Sequence, residues 1–176
     1  MRVVAGTARG RRIDAPPGTG TRPTSDRVRE SIFNSLGSLG LLDGATVVDL
    51  FAGSGAMGIE ALSRGAASAV FVESDRRAAQ TITANLERCG LTDRGRVVPS
   101  TVERYLDRGA PVDLALVDPP YAFDGWADLL GVLEARHVVV ESDRVVPIPD
   151  RFHVVRERAY GSTVVQIATR TDQTSA

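Results

Sequence analysis

Three groups of residues in this chain have types and spacings suited to chemistry. The first lies in VVDLFAGSGAMGIEALSRG, residues 47 to 65, where an apolar segment carrying Asp49 runs through Phe51 and Ala52 into Gly53, Gly55 and Gly58. Glycine adopts positive φ at little cost and lets a ligand approach the backbone. A helix beginning there offers unpaired N–H groups, so the segment is a seat for a nucleotide-like cofactor. The second group is Glu73 with Ser74, closing the apolar run AVFVE; a carboxylate at that distance can take both hydroxyls of a ribose. The third is DPPY, Asp118 to Tyr121, behind the apolar residues 112 to 117.

The glycine spacing and downstream acid also fit a dinucleotide fingerprint. Asp49 separates the two readings. A carboxylate inside a strand must find a donor or stay costly. A pyrophosphate would repel it, whereas the cationic amino group of S-adenosylmethionine, which carries no phosphate, would suit it. A dehydrogenase would also leave DPPY idle.

DPPY suits methyl transfer to an exocyclic amino group of a base. The lone pair of that nitrogen is delocalised into the ring, so the group is a poor nucleophile. Asp118 can accept one of its N–H groups and the Pro119 carbonyl the other, aiming the lone pair as charge develops. Two prolines restrict the backbone that presents this carbonyl. Tyr121 offers a ring on which an extruded base can stack. No metal and no covalent nucleophile are needed.

These groups require elements that bring them to one place. Strands are expected near 46–51, 69–73, 96–99, 113–117 and 136–141, and helices near 56–64, 75–89, 101–107 and 124–134. The alternation predicts a parallel sheet covered on both faces, with ligands at the carboxyl ends of the strands. Asp49 to Gly53, Glu73, Pro99 to Thr101 and Asp118 to Tyr121 all fall at such ends. Residues 151 to 170 read as two strands joined across Gly161, and RVVAGTARGRRI, residues 2 to 13, as a β-hairpin. TSDRVRESIFNSLG reads as a helix capped by Thr24 or Ser25, with Val28, Ile32, Phe33 and Leu36 on one face and Arg27 and Arg29 on the other. Phe123 and Trp126 follow DPPY; Trp126 is expected to pack, and Phe123 either to pack or to line a base pocket.

At 176 residues the chain suits one domain. Its net charge of −1 names no partner, but the charge is unevenly spread. Residues 1 to 36 hold seven arginines against three acids, a net of +4. That asymmetry points to a nucleic-acid partner, through phosphate contacts that position rather than specify. All 21 basic residues are arginine, which makes bidentate phosphate contacts and stacks on bases. The single cysteine, Cys89, excludes a cysteine-based metal site and reads as a packed thiol; His137 and His153 read as structural. No run is apolar and long enough to span a membrane, and a cytoplasmic location is expected.

Over nearly its whole length the chain resembles the bacterial small-subunit ribosomal RNA guanine-N2 methyltransferases of the RsmD type. DPPY alone is shared with other amino-methylating enzymes; RVVAGTARGRRI followed by RPTSDRVRESIFNSL is much more specific. The resemblance implies a Rossmann-like class I methyltransferase fold, with a mostly parallel seven-stranded sheet and a reversed last strand. It implies S-adenosylmethionine as donor and a guanine of 16S rRNA in the small subunit, the family's guanine 966, as acceptor. Residues 1–40 would form an RNA-facing extension and 41–176 the methyltransferase domain, together one compact unit and a monomer. Asp49, Phe51, Ala52, Gly53 and Gly55 would surround the methionine part, Glu73 and Ser74 the ribose. Thr101 would stand where relatives hold the adenine, and Asp118, Pro119 and Tyr121 would form the amino-group site against the cofactor. Arg9, Arg11, Arg12, Arg22, Thr24, Arg27 and Arg29 would face RNA. An adenine-N6 methyltransferase and a non-catalytic RNA-binding or assembly factor are the competing readings.

Overall fold

Strands that are apolar on both sides need a covering layer on each face. The computed structural model, which describes residues 1–18 and 26–171, supplies both layers. Seven strands, β1 (Thr46–Leu50), β2 (Ser68–Glu73), β3 (Gly95–Pro99), β4 (Val112–Val117), β5 (Ala135–Ser142), β6 (Phe152–Tyr160) and β7 (Thr163–Arg170), form one sheet in the order β3-β2-β1-β4-β5-β7-β6. The first five are parallel, and β7 runs antiparallel between β5 and β6. This is the class I methyltransferase arrangement with its reversed last strand.

Alternate residues of β1 show how the faces divide. Val47 joins a core built with α1 (Asp26–Ser38), α2 (Ala56–Ser63) and α3 (Arg76–Cys89), while Val48 and Leu50 join a second core with α4 (Val102–Leu106) and α5 (Trp126–Val132). Helix α3 starts where Asp75 accepts the N–H groups of Arg77 and Ala78, both at 2.8 Å, and ends at Gly90 with φ of +67°. An aspartate cap of this kind contributes about 1 kcal/mol.

The register sets the functional edge. Leu50 pairs with Val72 on one side and Val117 on the other, and Glu73 pairs with Pro99. The loops that follow all four strands therefore leave the sheet side by side.

The N-terminal extension belongs to the α1–α2–α3 core through Val3, Ala8 and Ile13. The expected hairpin is present as a short one: the Arg2 to Arg12 bridge is flanked by bonds from the Ile13 N–H to the Met1 carbonyl and from the Val3 N–H to the Arg11 carbonyl, both at 3.0 Å, and its turn bonds to α2. Val4 and Ala5 donate their N–H groups to Glu60 at 2.8 and 3.0 Å, and Thr7 donates to the Ser63 carbonyl at 2.8 Å. The approach is so close that a Cβ on Gly6 would meet the Ser63 carbonyl oxygen at 1.8 Å.

Arg29 corrects one expectation. It lies with Ile32, Phe33 and Leu36 at helical spacing, so it faces the core rather than RNA, and it is fully buried. A buried guanidinium needs partners. Arg29 finds the Glu60 carboxylate at 3.5 Å, Asp26 at 2.9 Å and the Arg2 carbonyl. Glu60, equally buried, also accepts from Arg64 at 2.7 Å.

Candidate active site

After β1 the chain turns sharply. Phe51 has φ of +61°, a region that costs a bulky L-residue about 1–3 kcal/mol. Gly53 and Gly55 follow at +54° and +77°, and Gly55 caps α2. The turn places the Phe51 ring edge-on to Phe123 at 5.3 Å, and Phe123 meets Trp126 at 5.2 Å. Phe123 thus belongs to an aromatic wall joining the loop after β1 to the DPPY turn. Trp126 packs as expected, being buried beneath that wall.

Each glycine has its own physical reason. The Gly53 N–H donates to Glu73 at 2.8 Å, and a Cβ there would have only the Phe51 carbonyl nearby, at 3.9 Å. The space above this loop is open enough to cradle a ligand. A Cβ on Gly58 would lie 2.3 Å from the Phe71 ring, so only glycine lets α2 close onto β2. Its N–H donates to Asp49 at 2.8 Å.

That bond modifies the expectation for Asp49. The side chain is 2 % exposed and accepts from the first turn of α2, so it shapes the loop from beneath and is not an open acceptor. Burial pushes its pKa well up; the charges of Asp118 and Glu73 push the same way, and the Gly58 N–H opposes them. Three acids therefore converge on one edge, an arrangement that favours a cation. Glu73 is half-buried and also accepts the Asp75 N–H at 2.8 Å. Its oxygens retain lone pairs for hydroxyl donors. Ser74 and Thr101 are exposed beside it, and Thr101 caps α4 by accepting the Arg104 N–H at 3.4 Å.

At the end of β4, Asp118 is partly buried, Pro119 buried and Tyr121 49 % exposed. The Pro120 carbonyl accepts the Phe123 N–H at 2.9 Å and closes the turn. The edge thus presents a carboxylate and an open aromatic ring next to the glycine loop that follows β1.

A family model described as "Conserved hypothetical protein 95" matches residues 1–169. The chain belongs to this family. Its relatives include Ribosomal RNA small subunit methyltransferase D of Escherichia coli K12, 35% identical over 98% of this chain and 91% of the relative. YlbH of Bacillus subtilis 168, named as a candidate rRNA methyltransferase, is 40% identical over 95% of this chain and 97% of its own. Among solved structures, Escherichia coli yhhF, named as a candidate methyltransferase, matches with a TM-score of 0.85 at 34% identity, covering 97% of each chain.

Within the family frame, Asp49, Phe51, Ala52, Gly53, Gly55, Glu73, Ser74, Thr101 and Asp118 all lie at one sheet edge, as expected. Of the arginines assigned to RNA, Arg9, Arg11, Arg12 and Arg27 are exposed, Arg12 being paired with Asp14 at 2.8 Å. Arg22 and Thr24 lie outside the described residues. Sequence reasoning missed Glu60 and Asn85. Glu60 is the one charged residue of AMGIEALS, and Asn85 falls at helical spacing on the stripe of Ala78, Ile82, Leu86 and Cys89; those placements are the signals that could have found them.

Proposed function

We propose that this protein transfers a methyl group from S-adenosylmethionine to the exocyclic N2 of a guanine in 16S rRNA of the small subunit, the residue at position 966. The rRNA substrate follows from the relatives' names. The amino acceptor follows from one observation: DPPY leaves β4 directly beside the loop that leaves β1, through the Leu50 to Val117 register.

When bound, the cofactor supplies an electrophilic methyl group on a cationic sulfur. The residues around it do the rest. Glu73 takes the ribose hydroxyls, and the backbone from Phe51 to Gly55 receives the methionine part. Asp49 lies beneath the loop as a buried carboxyl whose ionised form is costly without a cation, so an ammonium group favours its ionisation. Asp118 and the Pro119 carbonyl accept hydrogen bonds from the two amino N–H groups of the base and turn the nitrogen lone pair toward the methyl; the amine gains the methyl and releases one proton. Tyr121 stacks on the base. The exposed Arg9, Arg11, Arg12 and Arg27 contact phosphates, which sets position and weakens with salt.

The test is methyl incorporation from labelled S-adenosylmethionine into small subunits lacking the modification, free 16S RNA and duplex DNA, followed by nucleoside analysis. N2-methylguanosine supports the reading. N6-methyladenine would move the acceptor to adenine, and no label despite cofactor binding would make the protein an RNA-binding factor.

A further inference from the structure

Asn85 of α3 is fully buried and lies between the cofactor loop and the N-terminal extension. Its side-chain Nδ2 donates to the Ser54 carbonyl at 2.9 Å and to the Asp14 carbonyl at 2.9 Å. Its Oδ1 accepts the Asp14 N–H at 2.9 Å and the Arg88 guanidinium at 3.0 Å. Both donors and both lone pairs of the amide are thereby used. Ser54 is the residue between Gly53 and Gly55, and Asp14 stands just before the segment carrying Arg22 and Thr24.

We propose that Asn85 is a positioning residue that fixes the cofactor loop and the RNA-side extension in one register, so that occupation of either site tightens the other. The proposal rests on the reading of the extension as RNA-facing.

Three observations carry it. The loop at Ser54 is built from positive-φ glycines, which leave it intrinsically adaptable, and Asn85 is a side-chain anchor on its backbone. On the extension side, Arg88 also holds Asp14 through an ion pair at 2.9 Å and donates to the carbonyl of the nearby Arg12 at 3.4 Å. A second, weaker contact runs parallel: Ser54 donates to the Met1 sulfur at 3.9 Å, which also accepts from Arg29 at 3.6 Å. A shift of the loop on ligand binding is therefore a shift of Asp14. Such linkage is reciprocal by thermodynamic necessity.

The experiment measures the affinity of S-adenosylhomocysteine, which cannot react, with and without saturating unmethylated small subunits. Wild type, Asn85→Asp and Arg88→Ala are compared, with thermal melts to establish folding and Asn85→Ala substituted if Asn85→Asp does not fold. Wild type is expected to bind about fivefold or more tightly with the particle present. Asn85→Asp, which loses both amide donors, is expected to weaken free-enzyme binding about tenfold and bring the ratio with and without particle to one. Arg88→Ala leaves both amide donors in place and is expected to weaken particle binding while free-enzyme cofactor affinity stays at the wild-type value. A merely structural asparagine would lower the melting temperature and leave the ratio untouched. A folded Asn85→Asp that keeps the wild-type ratio overturns the proposal, as does a wild type that binds the particle without any change in cofactor affinity. A wild type that binds cofactor but no particle overturns the RNA reading itself, and the linkage with it.

Discussion

The two edges of the sheet treat their acids in opposite ways. At the amino edge, Asp113 accepts from Thr46 at 2.9 and 2.8 Å and lies 3.6 Å from Arg136, and Glu134 pairs with Arg151 at 2.7 Å and Arg170 at 2.6 Å. Hydrogen bonds from Thr46 hold Asp113 below the usual carboxylate range, and those from Arg170 and Arg151 do the same for Glu134. At the carboxyl edge, Asp49 and Glu73 receive only backbone N–H groups, with no arginine partner among the described residues. Burial pushes Asp49 up rather than down. Acids that serve the fold are neutralised by arginine and threonine side chains; Asp49 and Glu73 have no such partner among the described residues, which suits the cationic ligand proposed above.

The largest effect is expected from Asp118. Asp118→Ala removes the acceptor that orients the amino group, and single-turnover transfer at saturating cofactor should fall about 10²–10³-fold with the melting temperature close to wild type. Tyr121→Ala should cost about 1–3 kcal/mol of acceptor binding, read as a raised KM for the small subunit with little change in the melt.

Asp49 and Glu134 should show opposite pH signatures. The folded pKa of Asp49 lies above its unfolded value, so its contribution to ligand-free stability is full below about 3.9 and is lost as pH rises through the folded value. Thermal melts across that range should show the loss in wild type but not in Asp49→Asn, which can still accept the Gly58 N–H. Glu134 has the reverse sign: its contribution is present above about 4.3 and lost as pH falls. Because Glu134 is about half exposed, solvent screening should keep Glu134→Gln below about 1 kcal/mol, with activity unchanged.

Much of this contrast was legible in the sequence. Segments that are apolar on both sides, such as 47–51 and 112–117, have few alternatives to buried parallel strands, so the strand ends and the acids on them followed. The polar interior did not. Arg29 stands at i with Ile32, Phe33 and Leu36 at i+3, i+4 and i+7, yet residue type argued for solvent, and only the distant Glu60 reverses that. Asn85 likewise becomes interpretable only when Asp14 and Ser54, far apart in the chain, are brought together. The left-handed Phe51 has no local signal, since it is a bulky aromatic that precedes the glycines of the turn. The pairing of Glu134 with Arg170 depends on β7 returning beside β5, a non-local register.

The central claim, that Asp49 is held at the carboxyl edge without an arginine partner to suit a cationic ligand, is tested most directly by calorimetry of S-adenosylmethionine binding between the ordinary carboxylate pKa and neutrality, in buffers of different ionisation enthalpy. A cation binding over Asp49 lowers its pKa, so wild type should release a proton to the buffer on binding and Asp49→Asn should not, while binding more weakly. Equal affinities with no proton exchange in either protein would contradict the account.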